Sequence, residues 1–205
     1  SVAEHVRLHR DTDVELNVAS SGTLMTQLKE GADADVVILA SASHMGQLAE
    51  SGLVRSPQII ALNSLAIAVS PSLAGQVTSM GQIRDTDLQI AICVESAPCG
   101  VLALAYASFI GLDLSSATRE PNVKAVLAKV ERDEVDVGFV YVTDLRSSTV
   151  DLGRLMNSGA ERHTTSYSLA VSANSTKVRE ARDFASLFET ETGSDVMVHF
   201  GFELP

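Results

Sequence analysis

Apolar positions along this chain fall into two rhythms, one of strands and one of helices. Val14-Glu15-Leu16-Asn17-Val18 alternates apolar with polar, the period of a half-buried strand, and the small-residue turn Ser20-Ser21-Gly22 leads from it into an amphipathic helix. Asp33-Ala34-Asp35-Val36-Val37-Ile38-Leu39-Ala40 is a continuous, β-branched run entered through acidic turn residues, and predicts a buried strand. Ser43-His44-Met45-Gly46-Gln47-Leu48-Ala49-Glu50 reads as a helix closed by Ser51-Gly52, the glycine taking the left-handed position after the last turn. Ile59-Ile60-Ala61-Leu62 and Leu65-Ala66-Ile67-Ala68-Val69 predict two strands around Asn63-Ser64. Ahead of all these, Val2-Ala3-Glu4-His5-Val6-Arg7-Leu8-His9-Arg10 has helical spacing and begins abruptly, like the back half of a helix.

The second half repeats the pattern. Leu88-Gln89-Ile90-Ala91-Ile92-Cys93-Val94 predicts a strand, Glu95-Ser96-Ala97-Pro98-Cys99-Gly100 a loop, and residues 101–110 a helix ended by Gly111. A helix over 123–131 and a buried strand Asp136-Val137-Gly138-Phe139-Val140-Tyr141-Val142 follow. Tyr167-Ser168-Leu169-Ala170-Val171 is a further strand, and residues 177–188 and 195–200 are closing helices. Strands alternating with helices imply α/β architecture, with parallel-type sheets and crossover helices. Ligands of such sheets sit beyond the carboxyl ends of strands, at helix N-termini. Ser20-Ser21-Gly22 and Ala97-Pro98-Cys99-Gly100 both occupy strand-to-helix turns of that kind, one in each half, as two lobes facing one cleft require.

Composition narrows the partners. The 205 residues are 45% hydrophobic and 20% charged, enough for a real core and one domain or two small ones. No apolar run approaches the roughly 18–20 residues of a membrane-spanning helix, so membrane insertion is not expected. The formal charge of −11, with 15 scattered Lys and Arg and no aromatic-basic patch, argues against nucleic acid. The absence of Trp argues against a carbohydrate-stacking cleft. Net acidity opposes an anionic ligand only weakly, because screening confines surface charge to about 8–10 Å while helix N-terminal donors act in contact.

Candidate chemistry concentrates in the turns. The free N–H groups and macrodipole at the start of a helix favour an anion beside Ser20, Ser21 and Gly22; the plain alternative is an N-cap serine. Cys93 and Cys99, the only cysteines, either pair across their loop or remain thiols. A nucleophilic Cys99 lacks a neighbouring His base in sequence. His5 and His9 share a helix face but carry no metalloprotease signature, which favours solvated surface histidines. Tyr141 is either a core aromatic or, at the carboxyl edge of its strand, a ligand group. Asp144 reads as a cap for the following segment, and Glu131-Arg132-Asp133-Glu134 as a solvated turn.

Taken in order, these residues resemble the periplasmic molybdate-binding proteins of ABC importers, within the type II solute-binding superfamily. Ala19-Ser20-Ser21-Gly22-Thr23-Leu24, then Gln27-Leu28, Gly31-Ala32 and Ala34-Asp35-Val36, resemble the family's first binding turn, helix and strand. Pro98-Cys99-Gly100-Val101 resembles its second-lobe turn, where the family has Pro-Ala-Gly, and Asn122-Val123-Lys124-Ala125-Val126, Gly138-Phe139-Val140-Tyr141 with Asp144, and His199-Phe200-Gly201-Phe202 complete the match. The resemblance implies a two-lobed periplasmic-binding-protein-like fold, each lobe a central sheet flanked by helices. Lobe one would hold residues 1–65 and 168–205 and lobe two residues 66–167, with hinges near 62–66 and 166–169. It implies oxyanion ligands at the Ser21 hydroxyl, the backbone N–H groups of Cys99 and Val123 and the Tyr141 hydroxyl, lined by Ser20, Gly22 and Gly100. Any metal is held only inside the molybdate or tungstate oxyanion, with sulfate or phosphate as substitutes, and no cofactor or direct cation ligand is expected. These positions carry no Asp or Glu, which suits a fully deprotonated dianion better than protonated phosphate. The implied partner is the importer's membrane permease, the implied location periplasmic or extracytoplasmic, and the implied state a monomeric non-enzyme. The family also has a first strand and a second serine-bearing turn before the position where this chain starts. That difference gives the second reading weight: a sensor or structural relative with altered or lost ligand binding.

Overall fold

The computed structural model describes residues 13–156 and 158–205. Among them, helices α1 (Ser21–Lys29), α2 (Ala42–Glu50), α3 (Met80–Asp85), α4 (Pro98–Ile110), α5 (Val123–Glu131), α6 (Val142–Ser147), α7 (Val178–Ser186) and α8 (Glu191–His199) surround one mixed sheet. Its strands are β1 (Val36–Leu39), β2 (Val54–Val69), β3 (Ile90–Cys93), β4 (Thr118–Glu120), β5 (Val137–Tyr141), β6 (Gly153–Arg154) and β7 (Thr164–Ser172). The order across the sheet is β1-β7-β2-β5-β3-β4, with β6 also on β2.

β2 organises the molecule. Its first part, up to Ser64, pairs antiparallel with β7, and from Leu65 onward it pairs antiparallel with β5, so the ladder changes partner between two consecutive residues. Beyond the change of partner, side-chain alternation sends Leu65, Ile67 and Val69 into one buried cluster with Tyr106 and Phe139. Ala66 and Ala68 enter a second cluster on the opposite face with Cys93, Cys99, Val126 and Tyr141. The β1-β7 part carries its own cores, one under α1 and α2 around Leu39, Met45 and Leu48, the other around Ile60, Leu169 and Ala185.

Three expectations are corrected. The sheet is not parallel throughout: only β3 with β4 and with β5 run parallel, and the β1–β7, β2–β7, β2–β5 and β2–β6 ladders are antiparallel. A continuous apolar run reports burial on both faces, not strand direction. The two strands predicted around Asn63-Ser64 are one strand, because both polar side chains are buried and bonded inside it: Asn63 Nδ2 donates to Thr143 Oγ1 at 2.8 Å, and Ser64 Oγ to Glu203 Oε1 at 2.6 Å. Residues 14–18 form no strand, and Leu16 and Val18 are 63% and 85% exposed. Alternation makes a strand only where one face has a core to enter. The helix expected over residues 2–10, with His5 and His9, lies outside the described residues.

Candidate functional site

Ser20 and Ser21 divide the two roles that their turn allowed. Ser20 is the N-cap of α1, its Oγ accepting from the Thr23 N–H at 3.2 Å and sharing a 2.8 Å bond with the Thr23 hydroxyl. Ser21 is buried, and its Oγ accepts from the Ala40 N–H at 3.0 Å. A hydroxyl that accepts there keeps its own proton to donate elsewhere. The Ala40 carbonyl in turn accepts from Thr165 Oγ1 at 2.7 Å, which fixes the end of β1 against β7. Gly22 faces across to the other half of the sheet: a Cβ at this position would stand 3.6 Å from the Ser96 carbonyl oxygen and 3.7 Å from His44 Cε1.

Ser96 belongs to the turn between β3 and α4. No side chain caps α4, whose N-cap is Ala97 and whose first residue is Pro98, so the Cys99 N–H is one of the first-turn donors without an intrahelical partner. Cys93 and Cys99 form a disulfide, both buried, which ties the last residue of β3 to the first turn of α4. In that state Cys99 offers no thiolate for nucleophilic attack. Gly100 packs against the same turn rather than lining open space: an added Cβ would fall 2.7 Å from the Cys93 carbonyl oxygen, and closer still to that of Val94. At α5, Asn122 caps through Oδ1 to the Ala125 N–H at 3.0 Å, leaving the Val123 N–H as another first-turn donor.

Tyr141 ends β5 and packs, with Cys99 and Val123, on one face of the sheet. It is 3% exposed, and its hydroxyl is buried without a hydrogen-bond partner. Burial pushes its pKa up from the usual phenol value, with Tyr167 and Asp144 adding to the shift. The hydroxyl is therefore a neutral donor through the physiological range. Asp144 is spent as a cap, as expected: the Tyr141 N–H donates to Oδ2 at 3.0 Å, and Lys124 Nζ lies 3.0 Å from Oδ1.

Pattern reading missed the buried polar groups beside Tyr141. Asn63 keeps its Oδ1 buried and unpartnered, and burial pushes the pKa of Tyr167 up to about 12. His44 likewise holds a buried, unpartnered Nδ1. The one available signal was Asn63-Ser64 interrupting an otherwise apolar run. Among the described residues, no group of three or more His, Cys, Asp and Glu side chains is arranged to hold a metal ion. No helix among the described residues is long and apolar enough to cross a membrane.

In this helix-flanked mixed sheet, turns from both halves meet across Gly22 and Ser96. The chain belongs to the bacterial extracellular solute-binding protein family, whose model matches residues 2–203. It is 28% identical over 194 residues to the molybdate-binding protein ModA of Mycobacterium bovis, covering 94% of this chain and 74% of that protein. It is 26% identical over 203 residues to the putative ABC transporter substrate-binding lipoprotein YvgL of Bacillus subtilis, covering 95% of this chain and 76% of the relative. Its fold matches the periplasmic molybdate-binding protein of Azotobacter vinelandii with a TM-score of 0.89 at 18% identity, over all of this chain and 93% of that one.

Proposed function

We propose that this protein captures a tetrahedral dianion, molybdate or tungstate, and delivers it to the permease of an ABC importer in an extracytoplasmic compartment. The observation that carries the reading is the Tyr141 hydroxyl, buried without a partner on the sheet face that also holds Cys99 and Val123. An unmatched buried hydroxyl costs about 1–3 kcal/mol, a penalty that a bound acceptor removes. The other donors are the Ser21 hydroxyl proton and the Cys99 and Val123 N–H groups. All four are neutral and all can donate, which matches an anion carrying no proton of its own. Ser20 supports the site from its cap position, Gly22 leaves room at the meeting of the two halves, and Gly100 permits the close turn. The relatives named molybdate-binding support the same anion class. The ladder's change of partner at Ser64–Leu65 supports division into two lobes, residues 1–65 with 168–205 and residues 66–167, which close over the ligand by hinging near 62–66 and 166–169.

Calorimetric titration with molybdate, tungstate, sulfate and phosphate tests the reading. Submicromolar affinity for molybdate or tungstate, with sulfate and phosphate much weaker, is the expected result. Absence of any oxyanion response sinks it in favour of a relative that keeps the fold without the ligand.

A further inference from the structure

We infer that the Cys93–Cys99 disulfide is a positioning element of the anion site, so that the oxidation state of this pair sets anion affinity. The inference rests on the reading just proposed and goes further in tying that affinity to a covalent bond elsewhere in the turn. Both sulfurs are buried, at the end of β3 and in the first turn of α4. The bridge encloses the turn that carries two groups next to the proposed anion site. One is the Cys99 N–H, a proposed ligand donor. The other is the Ser96 carbonyl, which meets Gly22 from the opposite half of the sheet.

Besides the bridge, backbone hydrogen bonds and the close packing of Gly100 on the Cys93 and Val94 carbonyls hold the turn. The Ala97 N–H donates to the Val94 carbonyl at 3.0 Å, and the Gly100 N–H to the Ala97 carbonyl at 2.9 Å. Glu95 and Ser96 are exposed at its tip, and the N-cap Ala97 supplies no side-chain oxygen to anchor the helix start. At α1 and α5, by contrast, Ser20 and Asn122 cap their helices through side-chain oxygens. The disulfide thus stands where the other two donor helices have a capping hydrogen bond. A backbone donor acts on an anion only while held in place, since hydrogen-bond strength falls steeply with distance and misalignment.

Reduction by a dithiol breaks the Sγ–Sγ bond. Two electrons and two protons convert the sulfurs to two thiols, and the dithiol becomes its cyclic disulfide. The separated thiols no longer hold α4's first turn against β3. Linkage makes the effect reciprocal: if oxidised protein binds the anion more tightly, bound anion makes the bridge harder to reduce by the same factor.

The test titrates molybdate into oxidised wild type, dithiol-reduced wild type and the Cys93→Ala and Cys93→Ser variants. Circular dichroism checks folding, and reoxidation of the reduced protein checks reversibility. Affinity at least tenfold weaker in the reduced and variant proteins, restored by reoxidation, is expected. The midpoint of a dithiol–disulfide titration is then expected to shift in saturating molybdate by the same factor, about 30 mV to the reducing side for a tenfold effect. A purely structural bridge lowers the melting temperature without this ligand-dependent shift. Affinities equal within twofold, a midpoint indifferent to molybdate, or loss of the fold on reduction would each overturn the inference. If oxidised wild type binds none of the four oxyanions, the functional reading itself has failed.

Discussion

Ser20 and Ser21 are adjacent, similar and predicted to behave oppositely. Ser21→Ala removes a donor to a charged acceptor and is expected to weaken molybdate binding by about 1.5–3 kcal/mol, roughly 10- to 150-fold. Ser20→Ala removes an N-cap and is expected to destabilise the protein by about 1 kcal/mol while moving affinity only a few-fold. Paired calorimetry and thermal melts separate the two. Tyr141→Phe is expected to leave the ligand-free protein equally or slightly more stable, because it deletes an unpartnered buried hydroxyl, and to lower affinity at least tenfold. Because burial raises the pKa of Tyr141, its hydroxyl stays protonated and its contribution to affinity is constant between pH 6 and 9, by the ordinary phenol value of about 10. Tyr141, buried, and Tyr167, partly buried, are both harder to ionise folded than unfolded. Their contribution to stability is complete below about pH 10 and is lost above it, through about 12 for Tyr167, as alkaline melts will show. Only part of this was legible in the sequence. Small residues before a helix marked the turn at Ser20, but nothing local distinguishes a capping serine from a donating one. The choice of Ser21 as the donor rests on the family resemblance. Tyr141 reads on spacing alone as a core aromatic, and its missing hydrogen-bond partner is a fact of three dimensions.

At the scale of elements, strands with two covered faces were readable and unpaired segments were not. β1, β3 and β5 lie where continuous apolar runs predicted them. Residues 14–18 alternate as well as any strand, yet form none, and Leu16 and Val18 stay exposed. β2 was read as two strands because Asn63 and Ser64 look like a break, and their buried partners Thr143 and Glu203 lie far along the chain. The β3–α4 turn leaves no room for a side chain at Gly100. Gly100→Ala places a methyl group far inside van der Waals contact with the Val94 carbonyl, and only backbone movement relieves it. The expected cost is about 1–3 kcal/mol of stability, with a parallel loss of molybdate affinity because Cys99 moves with the turn. A melt and a titration of the variant check both. A loss of stability without loss of affinity would detach this turn from the anion.

For the whole molecule, α/β class and helix-flanked sheets were legible, while strand direction was not, since burial on two faces looks alike in parallel and antiparallel ladders. If the two halves of the sheet close on the ligand as proposed, molybdate is expected to reduce the radius of gyration in solution scattering, and Ser21→Ala to blunt the change at matched ligand concentration. The same long strand has a consequence for how the chain reaches this shape. β2 finds β7 only after roughly a hundred further residues have been made, with Val54 opposite Ser172 and Ser64 opposite Thr164. The half of the sheet built on β1 and the first part of β2 is incomplete until that distant partner arrives, and closing so large a loop is entropically costly before any contact rewards it. Refolding from denaturant is therefore expected to be slow for a domain of this size. Truncating Leu169, buried in the β7 ladder, would slow it further if that ladder forms in the rate-limiting step.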